Sequence, residues 1–149
     1  MDKIKLYEIA SSYVGTPHVN AGMIKKAGVD CSTLPALIFE EMGYGPYNIE
    51  LNYTGDWYIK QNPDRKLEAY LEKYCNRIEE NDLRAGDIIA YQYGRAVSHL
   101  SLLLDDEKEY VIHCHAMRGT EITEYDDPIF KKGNGKSRAV SYWRIKEAD

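Results

Sequence analysis

Cys31 is the residue of this sequence whose setting best suits nucleophilic chemistry. It stands just before an apolar stripe at helical spacing over residues 34–42, and this stripe includes Pro35. Because proline lacks the N–H that an interior helical position donates, Pro35 should lie in the first turn, so the helix should start near residues 31 to 32. The positive end of the helix dipole would lower the pKa of a thiol there, and the unpaired backbone N–H groups could hold an oxyanion. The sequence therefore predicts a reactive thiolate at position 31.

A thiolate nucleophile needs a base that holds and later donates the proton, usually a histidine that a third polar group orients. The chain contains four histidines, His18, His99, His113 and His115. His99 and His113 fall in two predicted strands joined by a short polar segment, which is typical of an antiparallel hairpin. If the turn centres on Asp106, His99 lies directly opposite His113 on one face of the sheet.

Two alternatives to this pairing remain open from the residues alone. If the turn centres between Asp106 and Glu107, His99 faces Cys114 instead of His113. His115 shares a strand face with His113, so it is a second candidate for the group that orients the base. We prefer His113 because the first register completes a base and its orienter.

The helix and strand patterns divide the chain into two parts. Apolar spacing predicts helices at about residues 2–14, from 31–32 to Gly43, and at 64–76. Five β-type runs separated by short connections follow, at residues 87–93, 97–104, 109–114, 120–125 and 138–145. Short connections join antiparallel neighbours, so the predicted fold class is α+β, with N-terminal helices packed on a meandering antiparallel β-sheet.

Size and charge narrow the possible classes of protein. A chain of 149 residues that is 44% hydrophobic and 29% charged can bury one core, so we expect a single domain over residues 1–149. The net charge of −5 argues against a non-specific nucleic-acid binder. No apolar stretch is long enough for a membrane span, and the N-terminus shows no apolar signal core. We therefore expect synthesis in a bacterial cytoplasm and no membrane span.

Five short segments stand in this order along the chain: 13–17 (YVGTP), 28–34 (GVDCSTL), 85–89 (AGDII), 98–102 (SHLSL) and 111–113 (VIH). They resemble motifs of the NlpC family of cell-wall cysteine peptidases, which have a papain-like fold, and especially of its phage tail-associated branch. The resemblance implies that Cys31 is the nucleophile, His99 the general base and acid, and His113 the group that orients His99. The sequence departs from the family pattern at three positions. Thr33 stands where the family commonly has glycine, and His18 and Asn20 stand where it often has tyrosine and tryptophan.

The same resemblance implies a substrate and its contacts. The family cuts peptidoglycan stem peptides between γ-D-glutamate and a diamino acid, with no metal or organic cofactor. The candidate substrate-binding residues are His18, Ser32, Ser98 and, in a long aromatic loop predicted at residues 43–63, Trp57. A phage or prophage origin would make tail proteins the partners and a phage particle the destination.

Several alternative readings stand beside this one. An amidase or acyltransferase could use the same triad, and a non-catalytic binding or tail-structural protein could keep the same fold. A zinc site at residues 113–115 would need companion ligand pairs that the sequence lacks, so we predict no metal. Cys75 and Cys114 are expected to be packing residues, Asp30 a helix cap and Asp87 a hydrogen-bonded residue at a strand start.

Overall fold

The computed structural model describes residues 1–45 and 66–147. Its helices are α1 (Lys3–Ser12), α2 (Thr33–Glu41) and α3 (Lys66–Tyr74). A small hairpin is formed by β1 (Met23–Ile24) and β2 (Gly28–Val29). The main sheet consists of β3 (Cys75–Ile78), β4 (Ile88–Tyr93), β5 (Ala96–Leu103), β6 (Tyr110–His115), β7 (Gly119–Glu124) and β8 (Ala139–Ile145). The predicted aromatic loop lies, from residue 46 onward, outside the described residues, and so does Trp57.

The main sheet has the strand order β3-β8-β4-β5-β6-β7, and all its pairings are antiparallel. The predicted α+β class is therefore confirmed. The meander extends only from β4 to β7, because the segment after β7 crosses back and β8 pairs with β4. Strand β3, which the helical spacing had joined to the end of α3, then pairs with the outer side of β8. Its Asn76 and Arg77 are exposed, so the strand carries little apolar signal.

The helix boundaries follow local rules that the sequence displays. Helix α1 begins after Asp2, whose carboxylate accepts a hydrogen bond from the N–H of Lys5. Pro35 lies in the first turn of α2, as predicted. This helix ends before Gly43, which adopts the positive φ of +94° that glycine tolerates best.

The two faces of the sheet are buried by different groups. The helices cover one face with an apolar cluster that includes Leu6, Leu34, Ile38, Phe39, Leu100, Leu102, Ile112 and Cys114. On the other face a second cluster contains Leu83, Ile89, Tyr91, Leu103, Val111 and Phe130. Because successive strand residues point to opposite faces, His99 and His113 lie on this second face, away from α1 and α2.

Asp87 has the structural role predicted for it. Its buried carboxylate accepts hydrogen bonds from Nε (2.9 Å) and Nη2 (2.8 Å) of Arg144 and from the N–H of Arg84 (3.0 Å). These bonds tie the start of β4 to β8.

Within the described parts of the chain, the helices are all too short or too polar to cross a bilayer.

Candidate active site

Asp30 organises the start of α2. One oxygen of its carboxylate, Oδ1, accepts hydrogen bonds from the N–H groups of Ser32 and Thr33, both at 2.9 Å, and from the Ser32 hydroxyl at 2.8 Å. The other oxygen accepts from the N–H of Ala21 at 2.8 Å. The expected helix cap is therefore confirmed, and it occupies the N–H groups at the positive end of the helix.

Cys31 lies in the turn just before α2 and is half-buried. Its thiol donates a weak hydrogen bond to the carbonyl oxygen of Ser98, at 3.8 Å. Burial and the nearby negative charge of Asp30 raise the pKa of the Cys31 thiol to about 12, although the N–H of Leu100 acts in the opposite direction. Burial, together with the Asp30 carboxylate at the helix start, thus favours the neutral thiol over the thiolate that the sequence predicts.

His99 and His113 are hydrogen-bonded through Nε2 of His99 and Nδ1 of His113, which are 2.8 Å apart. Both side chains are buried. The ring of Phe130 packs edge-on against His113, with the centroids 4.9 Å apart, and the ring of Tyr93 packs edge-on against His99 at 6.0 Å. The predicted contact between the two histidines is confirmed.

The strand register behind this contact differs from both predicted ones. Strands β5 and β6 pair Leu102 with Ile112 and Leu103 with Val111, a shift of two residues from the preferred register. The cause is Asp105, whose carboxylate accepts the N–H groups of the residues at 109 and 110 and so holds a longer turn. A shift of two residues keeps every side chain on the same face, so the two histidines still meet.

His115 does not form with His99 the hydrogen bond that His113 forms. Its ring centroid lies 6.0 Å from that of His99, and its Nδ1 accepts the N–H of Met117 at 3.1 Å. The structure therefore favours His113 over His115 as the group that orients His99.

Glu121 is a residue of this site that sequence reasoning missed. Its Oε2 lies 2.8 Å from Nε2 of His113 and 3.0 Å from Nη1 of Arg118, which also approaches Asp127 at 3.3 Å. Strands β6 and β7 pair His113 directly with Glu121. In an antiparallel hairpin, residues equally distant from the centre of the turn face each other, so a turn centred on Met117 would have placed His113 opposite Glu121.

One cavity of about 200 Å³ joins the predicted nucleophile to the predicted base. It is lined by His18, Cys31, Tyr93, Ser98, His99, Cys114, His115 and Ala116. His18 reaches it because its backbone forms a bridge with Val29, two residues before Cys31. The structure thus brings together Cys31, His99, His18 and Ser98. The Ser32 hydroxyl is instead buried in the cap of α2.

The cavity lies where β5 and β6 stop pairing. Their assigned pairs end at Leu102 and Ile112, and beyond them residues of both strands line the cavity. The Cys31 segment meets the sheet there: the Cys31 thiol is bonded to the Ser98 carbonyl, and the Cys114 thiol donates to the Val29 carbonyl at 3.4 Å. A thiol from the helix side can thereby share a cavity with a histidine from the other face of the sheet.

Both histidines are neutral at rest near pH 7. Burial, with the neighbouring His113, His115 and His18, lowers the pKa of His99 to about 3. Burial also lowers the pKa of His113, although Glu121 raises it in part. The site at rest therefore combines a neutral thiol with two neutral imidazoles.

This burial predicts that the protein loses stability in mild acid. Below its ordinary pKa of about 6.5 a histidine of the unfolded chain binds a proton that His99 refuses in the folded state, so the free energy of unfolding falls as the pH falls. We expect a decrease of up to about 1.4 kcal/mol per pH unit from His99 between pH 6 and pH 5. Urea unfolding at these pH values measures it, and His99→Gln should flatten the slope. An equal slope in the variant would contradict the assignment.

An α+β fold in which a thiol shares a cavity with a paired histidine is the arrangement found in papain-like proteins. A model of the NlpC/P60 family matches residues 15–138, and the chain belongs to this family. The predicted family resemblance is thus confirmed, whereas the phage tail-associated branch stays a prediction. Comparison with curated proteins found no match.

Solved structures of this family share the fold. An NlpC/P60 family protein from Bacillus cereus ATCC 10987 aligns with a TM-score of 0.65 and 18% identity, over 99% of this chain and 41% of that one. The NlpC/p60 domain of the peptidoglycan hydrolase SagA aligns with a TM-score of 0.56 and 18% identity, over 83% of this chain and 90% of that one. An NLP/P60 family protein similar to lipoprotein, from Staphylococcus aureus Mu50, aligns with a TM-score of 0.61 and 16% identity, over 98% of this chain and 42% of that one. The chain thus spans about two fifths of the Bacillus and Staphylococcus proteins.

Proposed function

We propose that this protein is a cysteine hydrolase that cleaves an amide bond in peptidoglycan stem peptides. The observation that carries the proposal is the cavity that Cys31 and His99 line together, with His99 held by His113 at 2.8 Å. Membership of the NlpC/P60 family supports it, and so does the fold shared with a domain of a peptidoglycan hydrolase.

The neutral resting site determines how the thiol must react. Nε2 of His99 faces His113, so Nδ1 is the nitrogen that takes the thiol proton while the Cys31 sulfur attacks the amide carbonyl. The resulting imidazolium of His99 then protonates the leaving amine as the C–N bond breaks and the acyl-enzyme forms. Neutral His99 next removes a proton from water as the water oxygen attacks the thioester carbonyl. The C–S bond then breaks, His99 returns the proton to the Cys31 sulfur, and the acid and the neutral thiol are released.

The oxyanion of the tetrahedral intermediate needs donors other than those first predicted. The N–H groups of Ser32 and Thr33 are bonded to the Asp30 carboxylate. The N–H of Cys31 itself acts on its own thiol, whose pKa it lowers. We assign the oxyanion contacts to this N–H and to the imidazole of His18, which lines the same cavity.

The finer substrate assignment follows from the family resemblance. The scissile bond would join γ-D-glutamate to a diamino acid, meso-diaminopimelate or lysine. A phage or prophage origin, with tail proteins as partners, belongs to the same proposal.

The test is digestion of purified peptidoglycan and of synthetic stem peptides, followed by mass spectrometry of the products. The expected products are a dipeptide ending in D-glutamate and a fragment with a newly freed amine on the diamino acid. A matched peptide with an α-glutamyl bond in place of the γ-glutamyl bond is the control and should remain uncut. Release of the whole stem peptide from muramic acid would indicate an amidase instead. Absence of any cleavage would favour a non-catalytic binding or tail-structural protein.

A further inference from the structure

We propose that Glu121 is a positioning residue that determines, through His113, which ring nitrogen of His99 carries a proton. This inference deepens the proposed function and rests on it for its catalytic consequence. The observation behind it is the unbroken series of hydrogen bonds from His99 to His113 and from His113 to Glu121, each 2.8 Å long.

The proton positions in this series follow from the chemistry of its end. A carboxylate can only accept hydrogen bonds, so Nε2 of His113 must carry the hydrogen that faces Glu121. In a neutral imidazole the other nitrogen is then bare, and Nδ1 of His113 accepts a hydrogen bond from Nε2 of His99. Nδ1 of His99 is left with a free lone pair, which is the state that a general base for Cys31 requires.

Glu121 is held in the position that this role requires. The pairing of β6 with β7 fixes its backbone directly opposite His113. Its carboxylate is also bound by Arg118 at 3.0 Å, and the Arg118 guanidinium is in turn close to Asp127. His113 is 1% exposed and packed against Phe130, so it cannot exchange its partners for water.

Without the Glu121 carboxylate, both histidines could adopt the other neutral tautomer. His113 could then carry its hydrogen on Nδ1 and donate it to Nε2 of His99. His99 would have to carry its own hydrogen on Nδ1, which could no longer accept the thiol proton. The negative charge of Glu121 also stabilises the imidazolium that forms during attack. The other titratable or charged groups that face the pair are His18, Tyr91, Tyr93, His115 and Arg118.

The experiment compares Glu121→Ala with Glu121→Gln and with a matched control on the same strand, Glu124→Ala. We expect Glu121→Ala to lower kcat by about 10- to 100-fold with little change in KM, because part of the roughly 10²- to 10⁴-fold contribution of general acid–base catalysis is lost. The glutamine oxygen can still accept the hydrogen of His113, so Glu121→Gln should recover much of this loss. Glu124 is exposed and pairs across the sheet with Tyr110, away from both histidines, so its variant should match the wild type.

A second measurement reads the proton positions without any turnover. The ¹⁵N chemical shifts of the imidazole rings should show Nε2 of His113 protonated and Nδ1 bare in the wild type and in Glu121→Gln. In Glu121→Ala they should show a mixture or the reverse. An unchanged ring in folded Glu121→Ala, or an unchanged kcat, would overturn the proposal. If the wild type cleaves no stem peptide but the ring shifts respond as expected, the proposed function fails while Glu121 keeps its role.

Discussion

Replacement of Cys31 with alanine is expected to lower kcat for stem-peptide hydrolysis by about 10⁴-fold or more. The variant has no atom that can form the acyl-enzyme, so only the oxyanion donors and substrate binding could still assist water. Initial rates of amine release from a synthetic stem peptide, measured for wild type and variant at equal concentration, give the ratio. The cap of α2 should survive, because Asp30 bonds to the N–H groups of Ser32 and Thr33 rather than to Cys31.

The other two cysteines provide matched controls for this experiment. Cys114 lines the same cavity, but its thiol donates to the Val29 carbonyl, and Cys75 is buried in the core. Cys114→Ala and Cys75→Ala should keep kcat within a few-fold of wild type, with some loss of stability from the smaller side chain. A Cys31→Ala protein that keeps a tenth of the activity, or a Cys114→Ala protein that loses as much, would show that Cys31 is not the nucleophile.

The parts of the fold that could be predicted from the sequence are those set by local rules. Pro35 fixed the start of α2 to within two residues, and the five predicted strands begin and end within one residue of those observed. Spacing along the chain carries this information, because a helix or strand buries a periodic face. The side of the sheet on which His99 and His113 lie can also be predicted, because successive residues of a strand point to opposite faces.

The features that could not be predicted depend on the hydrogen bonds and contacts of particular side chains, which apolar spacing does not report. The Asp105 carboxylate lengthens one turn and shifts the register by two residues, a choice that apolar alternation cannot detect. The sequence predicts that Asp30 caps the helix, but the effect of its charge on the Cys31 thiol follows only from the burial of the sulfur beside it. The pairing of Glu121 with His113 could have been obtained from a turn centred on Met117, but the hydrogen bond between Oε2 of Glu121 and Nε2 of His113 depends on the side-chain conformations.

His99 should be nearly as important for catalysis as Cys31. The thiol has a raised pKa and does not ionise at neutral pH without a base to take its proton. Removal of that base in His99→Ala should therefore lower kcat by about 10³-fold or more, since general acid–base catalysis is lost in both acylation and deacylation. His115→Ala is the matched control, because His115 lines the same cavity but is bonded to the N–H of Met117. Its kcat should stay within about tenfold of wild type.

The pH dependence of the wild type supplies an independent check on the same residue. His99, the proposed base, can accept a proton only when neutral, and its pKa of about 3 keeps it neutral well below pH 7. Protonation of His99 should therefore cause no decrease in kcat/KM between pH 7 and pH 5, at a temperature where the protein remains folded. A histidine with an ordinary pKa would instead lose most of its neutral form over this interval. A tenfold decrease in kcat/KM across this range that disappears in His115→Ala would assign the titrating group to His115. The same decrease retained both in His115→Ala and in His18→Ala would mean that His99 is partly protonated at rest, and the neutral thiol–imidazole pair would have to be abandoned in favour of an ion pair.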